Sequence, residues 1–306
     1  MRTFDRIIVD IDPHAVHHPE LDRGVAIARA THAELIIAAV MTPRDVPPVT
    51  GGKDTDAVDH LKSLLQIVAA GVGEVRVSTT LLFGPPAEVL AEEAHRTGAD
   101  LLIRSHPRDT ALAAQRRSGI DRDLIRTCPA PVLLVGPGIA ATHPRVLGAV
   151  APDTGWRNTA ALNRAVIDYT LTIAAVEAGT PTLLQAFMPP ALQLAHASGV
   201  ETAGYVEHSR TEVTSQLAAA VRDLGEDPRH LALIAEQGVV EEVLPAFVVS
   251  HGIDLVVLGI PPRRGPARWI LGTTAERLVR HMPCSVLAVK PDPHTSRTTR
   301  ALVDAL

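Results

Sequence analysis

Gly84-Pro85-Pro86-Ala87-Glu88-Val89-Leu90 opens a stretch that the chain writes a second time, as Gly238-Val239-Val240-Glu241-Glu242-Val243-Leu244. From there residues 84–137 align with 238–291 without a gap. Gly98 and Asp100-Leu101 fall on Gly252 and Asp254-Leu255, and Leu124 and Arg126 on Leu278 and Arg280. Pro129 and Val132-Leu133 fall on Pro283 and Val286-Leu287. Self-similarity over such a length marks duplication of one structural unit. A chain of 306 residues then divides into two units of ordinary domain size.

Working outward, each copy alternates short apolar runs with helical spacing. In the first copy Arg6–Asp12, Glu34–Met41, Val75–Phe83, Leu101–Ser105 and Val132–Val135 read as strands. Glu20–Ala33, Asp54–Ala70, Ala87–Thr97 and Ile120–Thr127 read as helices, the second with Val58, Leu61, Leu65 and Val68 on one face. In the second copy the strands lie near Val146–Ala151, Thr182–Phe187, Leu231–Glu236, Asp254–Gly259 and Val286–Val289. Apolar strands separated by amphipathic helices are parallel and covered on both faces. The expected fold is therefore α/β, with two tandem doubly wound parallel-sheet domains over residues 1–140 and 144–306. Gly, Pro and small residues mark the join at Gly136–Pro144. The domains are expected to pack face to face about a pseudo-twofold axis, an intramolecular pseudo-dimer open to further homodimer formation. The final strands should lie near the interface, because they would otherwise be solvated sheet edges.

Composition removes several function classes. A net charge of −5 disfavours nonspecific nucleic-acid binding, and 3% aromatics leave no stacking platform for single strands. Apolar residues at 46% exclude disorder. No apolar run reaches the roughly 18 residues of a membrane span, and no signal-peptide pattern opens the sequence. Two cysteines, Cys128 and Cys284, make no disulfide framework, so a reducing cytoplasm is expected and both thiols read as buried and structural. His14, His17 and His18 cluster after the first strand; imidazoles bind zinc, but a His- and Pro-containing loop before a helix reads as solvated, and no metal is assigned. Neither a Ser-His-Asp order nor a complete phosphate loop appears, so no catalytic residue and no enzymatic activity are assigned.

In doubly wound sheets, ligands sit at the carboxyl ends of the strands. The loop after the fourth strand of the second copy runs from Gly259 through Pro262, Arg263, Arg264 and Arg268 to Gly272-Thr273-Thr274. Glycine permits close backbone approach, and a helix start presents N–H groups to phosphate. This stretch, with Cys284-Ser285-Val286-Leu287-Ala288-Val289-Lys290-Pro291 after it, resembles tandem members of the universal stress protein family, of the E type. The resemblance extends over nearly the whole chain. It implies the adenine nucleotide alpha hydrolase-like fold and, in nucleotide-binding members, a Gly-X2-Gly-X9-Gly-Ser/Thr loop. Here Gly259, Gly272 and Thr273 keep the spacing, but Pro262 replaces the middle glycine and removes one N–H. The first copy offers Ser105, Arg108, Ser118 and Gly119 at these positions and keeps none of the glycines. The family's strand-1 aspartate is matched by Asp12, whereas the second copy has Ala151, with Asp153 two residues late. The resemblance thus implies a cytoplasmic stress-response protein that binds a small molecule or a protein partner without catalysis. The alternatives are ATP or AMP bound by the second copy, with slow hydrolysis, and carriage of a lipid-like ligand.

Overall fold

The computed structural model describes residues 3–42, 54–106, 111–136, 143–152, 159–189, 203–261 and 273–291. In the first half the elements are β1 (Arg6–Asp10), α1 (Pro19–Thr31), β2 (Glu34–Met41), α2 (Asp54–Ala70), β3 (Val77–Phe83), α3 (Pro86–Thr97), β4 (Leu101–Ser105), α4 (Ala111–Thr127) and β5 (Val132–Val135). In the second they are β6 (Arg145–Ala149), α5 (Thr159–Val176), β7 (Thr180–Phe187), α6 (Ala203–Arg222), β8 (Ala232–Gln237), α7 (Val240–His251), β9 (Leu255–Gly259), α8 (Thr273–His281) and β10 (Ser285–Val289). Most expected bounds shift by one or two residues. The exception is α4, which starts at Ala111 instead of Ile120. The run Ala111-Leu112-Ala113-Ala114-Gln115-Arg116-Arg117 consists of strong helix formers, and they carry the helix back through Ser118 and Gly119.

Each half is a parallel sheet in the order 3-2-1-4-5, and the two join into one ten-stranded sheet, β3-β2-β1-β4-β5-β10-β9-β6-β7-β8. The join is antiparallel, with Val132 opposite Ala288, Leu133 opposite Leu287 and Leu134 opposite Val286. The halves therefore meet edge to edge, not face to face as expected. Mutual pairing satisfies the backbone groups of two short, wholly buried apolar edges. One core layer runs under α1, α2, α5 and α6, and the other under α3, α4, α7 and α8; each is continuous across both halves. No helix among the described residues is long and apolar enough to cross a membrane.

The residues repeated between the copies hold the scaffold. Asp100 Oδ2 accepts from the backbone N–H groups of Asp5 and Arg6, and Asp254 Oδ2 accepts from that of Arg145, so each fixes the start of its half's first strand. Gly98 and Gly252 end α3 and α7 in the left-handed region, at φ 65° and 59°, which favours glycine.

Candidate ligand site

Connections leave β1 and β4 toward opposite sides of the sheet, so their carboxyl ends part into the crevice where doubly wound folds take ligands. In the first half this crevice is an open cavity of about 590 Å³. Its apolar wall is Ala39, Val40 and Met41 at the end of β2, with Leu61 from α2 and Leu81 from β3. Its polar wall is Asp10, Asp12, Glu20, Arg104 and Ser105, with His14 and His17 in the β1–α1 loop.

Behind the polar wall lies a buried charge network. Asp10 pairs with Arg104 across the β1–β4 register, through Oδ2 and Nη1. Arg104 Nε donates to Asp121 Oδ1 at 3.1 Å, and His106 Nδ1 lies 2.6 Å from Asp121 Oδ2. Burial pushes the Asp10 carboxyl up, against the pull of Arg104. Burial opposes the charge on Arg104, but Asp10 and Asp121 together hold its pKa above the ordinary value. The guanidinium is thus a fixed cation clamped between two carboxylates. Glu20, in the first turn of α1, is only 3% exposed. Its Oε1 is 3.6 Å from His18 Nδ1, beyond hydrogen-bond reach, and its Oε2 finds no donor. Burial raises Glu20 from 4.5 to about 7 and lowers His18.

At the matching described positions the second half has none of this chemistry. In the β6–β9 register, Ala149 and Leu258 stand where β1 and β4 place Asp10 and Arg104. Ile260, donating to Val289 as His106 donates to Val135, replaces His106, and Ala275 aligns with Asp121. At the described strand ends of the second half, side chains of α5 pack where the first half is open. α5 has 18 residues against 13 for α1, and its first turn brings Leu162 and Asn163 onto the strand ends. The Asn163 amide donates to the Ala151 carbonyl at 2.8 Å and accepts from the Ala151 N–H at 3.0 Å. A Cβ on Gly259 would lie 2.7 Å from Leu162 Cγ, so this glycine makes room for a leucine of its own chain.

Asp12 is exposed at the mouth of the first-half cavity, where its Oδ1 accepts from the His14 N–H at 3.0 Å. Pro262, Gly272, Arg263, Arg264, Arg268, Arg108 and Asp153 lie outside the described residues. Thr273 is exposed as the first residue of α8, while the Thr274 hydroxyl donates to Glu241 Oε1 at 2.5 Å and holds that carboxyl below its ordinary range. A carboxylate in this position repels an incoming phosphate. In the first half Gly119 lies inside α4, where a backbone N–H is committed to the carbonyl four residues back. Among the described residues no three His, Cys, Asp or Glu side chains gather to hold a metal, so His14, His17 and His18 do not converge. Cys128 and Cys284 are both buried, and burial pushes the Cys128 thiol up to about 11, which keeps it unreactive near neutral pH.

Comparison with known proteins agrees with this architecture. Residues 3–136 and 158–290 each match the universal stress protein family. The chain is 27% identical to universal stress protein E of Escherichia coli K12 over 313 residues, covering 96% of both chains. The universal stress protein E homolog of Haemophilus influenzae is 27% identical over 207 residues, which cover 67% of this chain and 66% of that one. A putative universal stress protein from Pseudomonas aeruginosa shares the fold with a TM-score of 0.68 at 21% identity, covering 97% of each chain. Two copies of one α/β unit, each matching the same family profile and together spanning most of the sequence, place this chain in the universal stress protein family.

Proposed function

We propose that this universal stress protein acts in the cytoplasm as a non-catalytic binder of a small organic molecule, held in the first-half cavity as part of a stress response. One observation carries the reading: the crevice between the first and fourth strands opens as a cavity in the first half, whereas at the described strand ends of the second half Leu162 packs on Gly259 and Asn163 bonds the Ala151 backbone. Its volume of about 590 Å³ falls within the roughly 300–1,000 Å³ of small-molecule sites, and an apolar wall with a few convergent polar groups is their usual lining. Native mass spectrometry of the purified protein tests it. Wild type should carry a small organic adduct that Ala15→Trp, at the exposed cavity mouth, abolishes. Bare wild type, or the same adduct in both proteins, contradicts the proposal.

ATP or AMP bound by the second copy is the second reading, favoured by the exposed Thr273 at the start of α8, where helix N–H groups attract phosphate. It requires ATP to bind wild type and to bind Gly272→Asp more weakly. A lipid-like occupant finds less support, because the cavity wall includes three carboxyls, of Asp10, Asp12 and Glu20.

A further inference from the structure

Resting on the first-half ligand site proposed above, we infer that the molecule held there is an organic cation, an apolar body bearing a protonated amine. Among the described residues the polar wall is acidic in balance. Of the described lining residues, Asp10, Asp12 and Glu20 face the cavity together with one permanent cation, Arg104, and that cation is already held by Asp10 and by Asp121 behind it. An anionic ligand would have to compete with both carboxylates for the same guanidinium. Ser118 and Gly119 offer a phosphate no backbone donor, since α4 runs helical through both and their N–H groups are already bonded.

Glu20 supplies the independent observation. It stands at the cavity wall, 97% removed from solvent, with a carboxylate oxygen that no donor reaches. A buried carboxyl in this state either holds a proton or waits for a cation. An ammonium group offers both the missing donor and the compensating charge, whereas a hydroxyl offers only the donor. Asp12 at the mouth adds a second carboxylate along the path inward, and Ala39, Met41, Leu61 and Leu81 present the surface against which an apolar body packs. His14 and His17 are the other titratable groups on the wall.

Three probes with one indole body and different ends decide the class: tryptamine, tryptophol and indole-3-acetate, titrated calorimetrically at pH 7.5 and one salt concentration, with AMP as a comparator. Tryptamine should bind about tenfold more tightly than tryptophol, the scale of one charge-assisted hydrogen bond, and indole-3-acetate should be weakest. Glu20→Gln, which keeps the shape and removes the charge, should erase most of that preference. Asp12→Asn, at an exposed position, should lower tryptamine affinity several-fold and keeps the test available should the buried variant fold poorly. Indole-3-acetate or AMP matching tryptamine, a preference undiminished in Glu20→Gln and Asp12→Asn, or no binding by any indole probe overturns the inference. If tryptophol or indole-3-acetate wins and Ala15→Trp blocks it, the cation assignment falls while the first-half site stands.

Discussion

Asp10 and Arg104 close two apolar runs, Ile7-Ile8-Val9-Asp10 and Leu101-Leu102-Ile103-Arg104, but only the strand register brings the opposite charges together, so the network went unread in the sequence. Asp121, His106 and Glu20 gave no signal either, because a charged residue in an amphipathic helix or a loop reads as solvated until its burial is known. Asp12 was legible through its place after β1. The loop residues Pro262 and Gly272 drew attention to the second copy, yet Leu162, which no spacing rule marks, packs on Gly259 there. Glu20 leads to a prediction. Its folded pKa of about 7 lies above the ordinary 4.5. Below pH 4.5 the carboxyl is protonated in folded and unfolded chains alike and costs nothing. As pH rises toward 7 the unfolded chain loses a proton that the folded chain keeps, so stability falls; above 7 the penalty is constant. Glu20→Gln should therefore match wild type near pH 4.5 and exceed it by about 2–3 kcal/mol at pH 8, as read from urea unfolding at the two pH values. An advantage that stays level between them would remove the buried-carboxyl account.

At the scale of elements, the two halves solve one packing problem in opposite ways. In the first, Val9 of β1 meets Gly24 of α1, and a Cβ on Gly24 would lie 2.5 Å from Val9 Cγ2. In the second, the strand supplies the glycine: a Cβ on Gly148 of β6 would lie 2.5 Å from Thr170 Oγ1 of α5. Helix and strand exchange bulk at this contact, so the repeat that is clear over residues 84–137 and 238–291 is not kept here. Gly24→Ala should destabilise the protein by about 1–3 kcal/mol through overpacking, and Val9→Ala in the same chain should recover part of that loss. Thermal unfolding of the two single variants and the double variant measures the coupling; strictly additive effects would mean that the contact is not the cause. Element type and order were legible from periodicity in the first copy, and the strands in the second. The start of α4 was not, because Gly119 resembles a helix boundary in a sequence read without its neighbours.

Over the whole molecule, the antiparallel β5–β10 pair is reinforced by a buried ion pair across the seam. Arg23 of α1 donates to Glu177, just past α5, at 2.8 Å through Nε and 2.5 Å through Nη2, with side chains 6% and 9% exposed. Its Nη1 also reaches Ser285 Oγ on β10, which accepts from the Gly136 N–H at the end of the first half. Glu177→Ala strands a buried guanidinium and should cost about 3–5 kcal/mol in chemical denaturation. A loss within the range of an exposed pair, below about 1 kcal/mol, would show that the seam does not depend on it. Final strands at the interface followed from their apolar edges, whereas edge-to-edge joining could not be read from either copy alone, since each presents the same strand and only their pairing sets the geometry. Within that shared sheet we place the ligand in the open first-half crevice, with Leu162 covering Gly259 at the strand ends of the second. A crystal structure of the protein with its co-purified ligand tests this most directly. The account predicts ligand density between Asp12, Glu20 and Leu81, with Leu162 still packed on Gly259. Density lying against Gly259 and Thr273, with Leu162 displaced and the first-half cavity vacant, would contradict it.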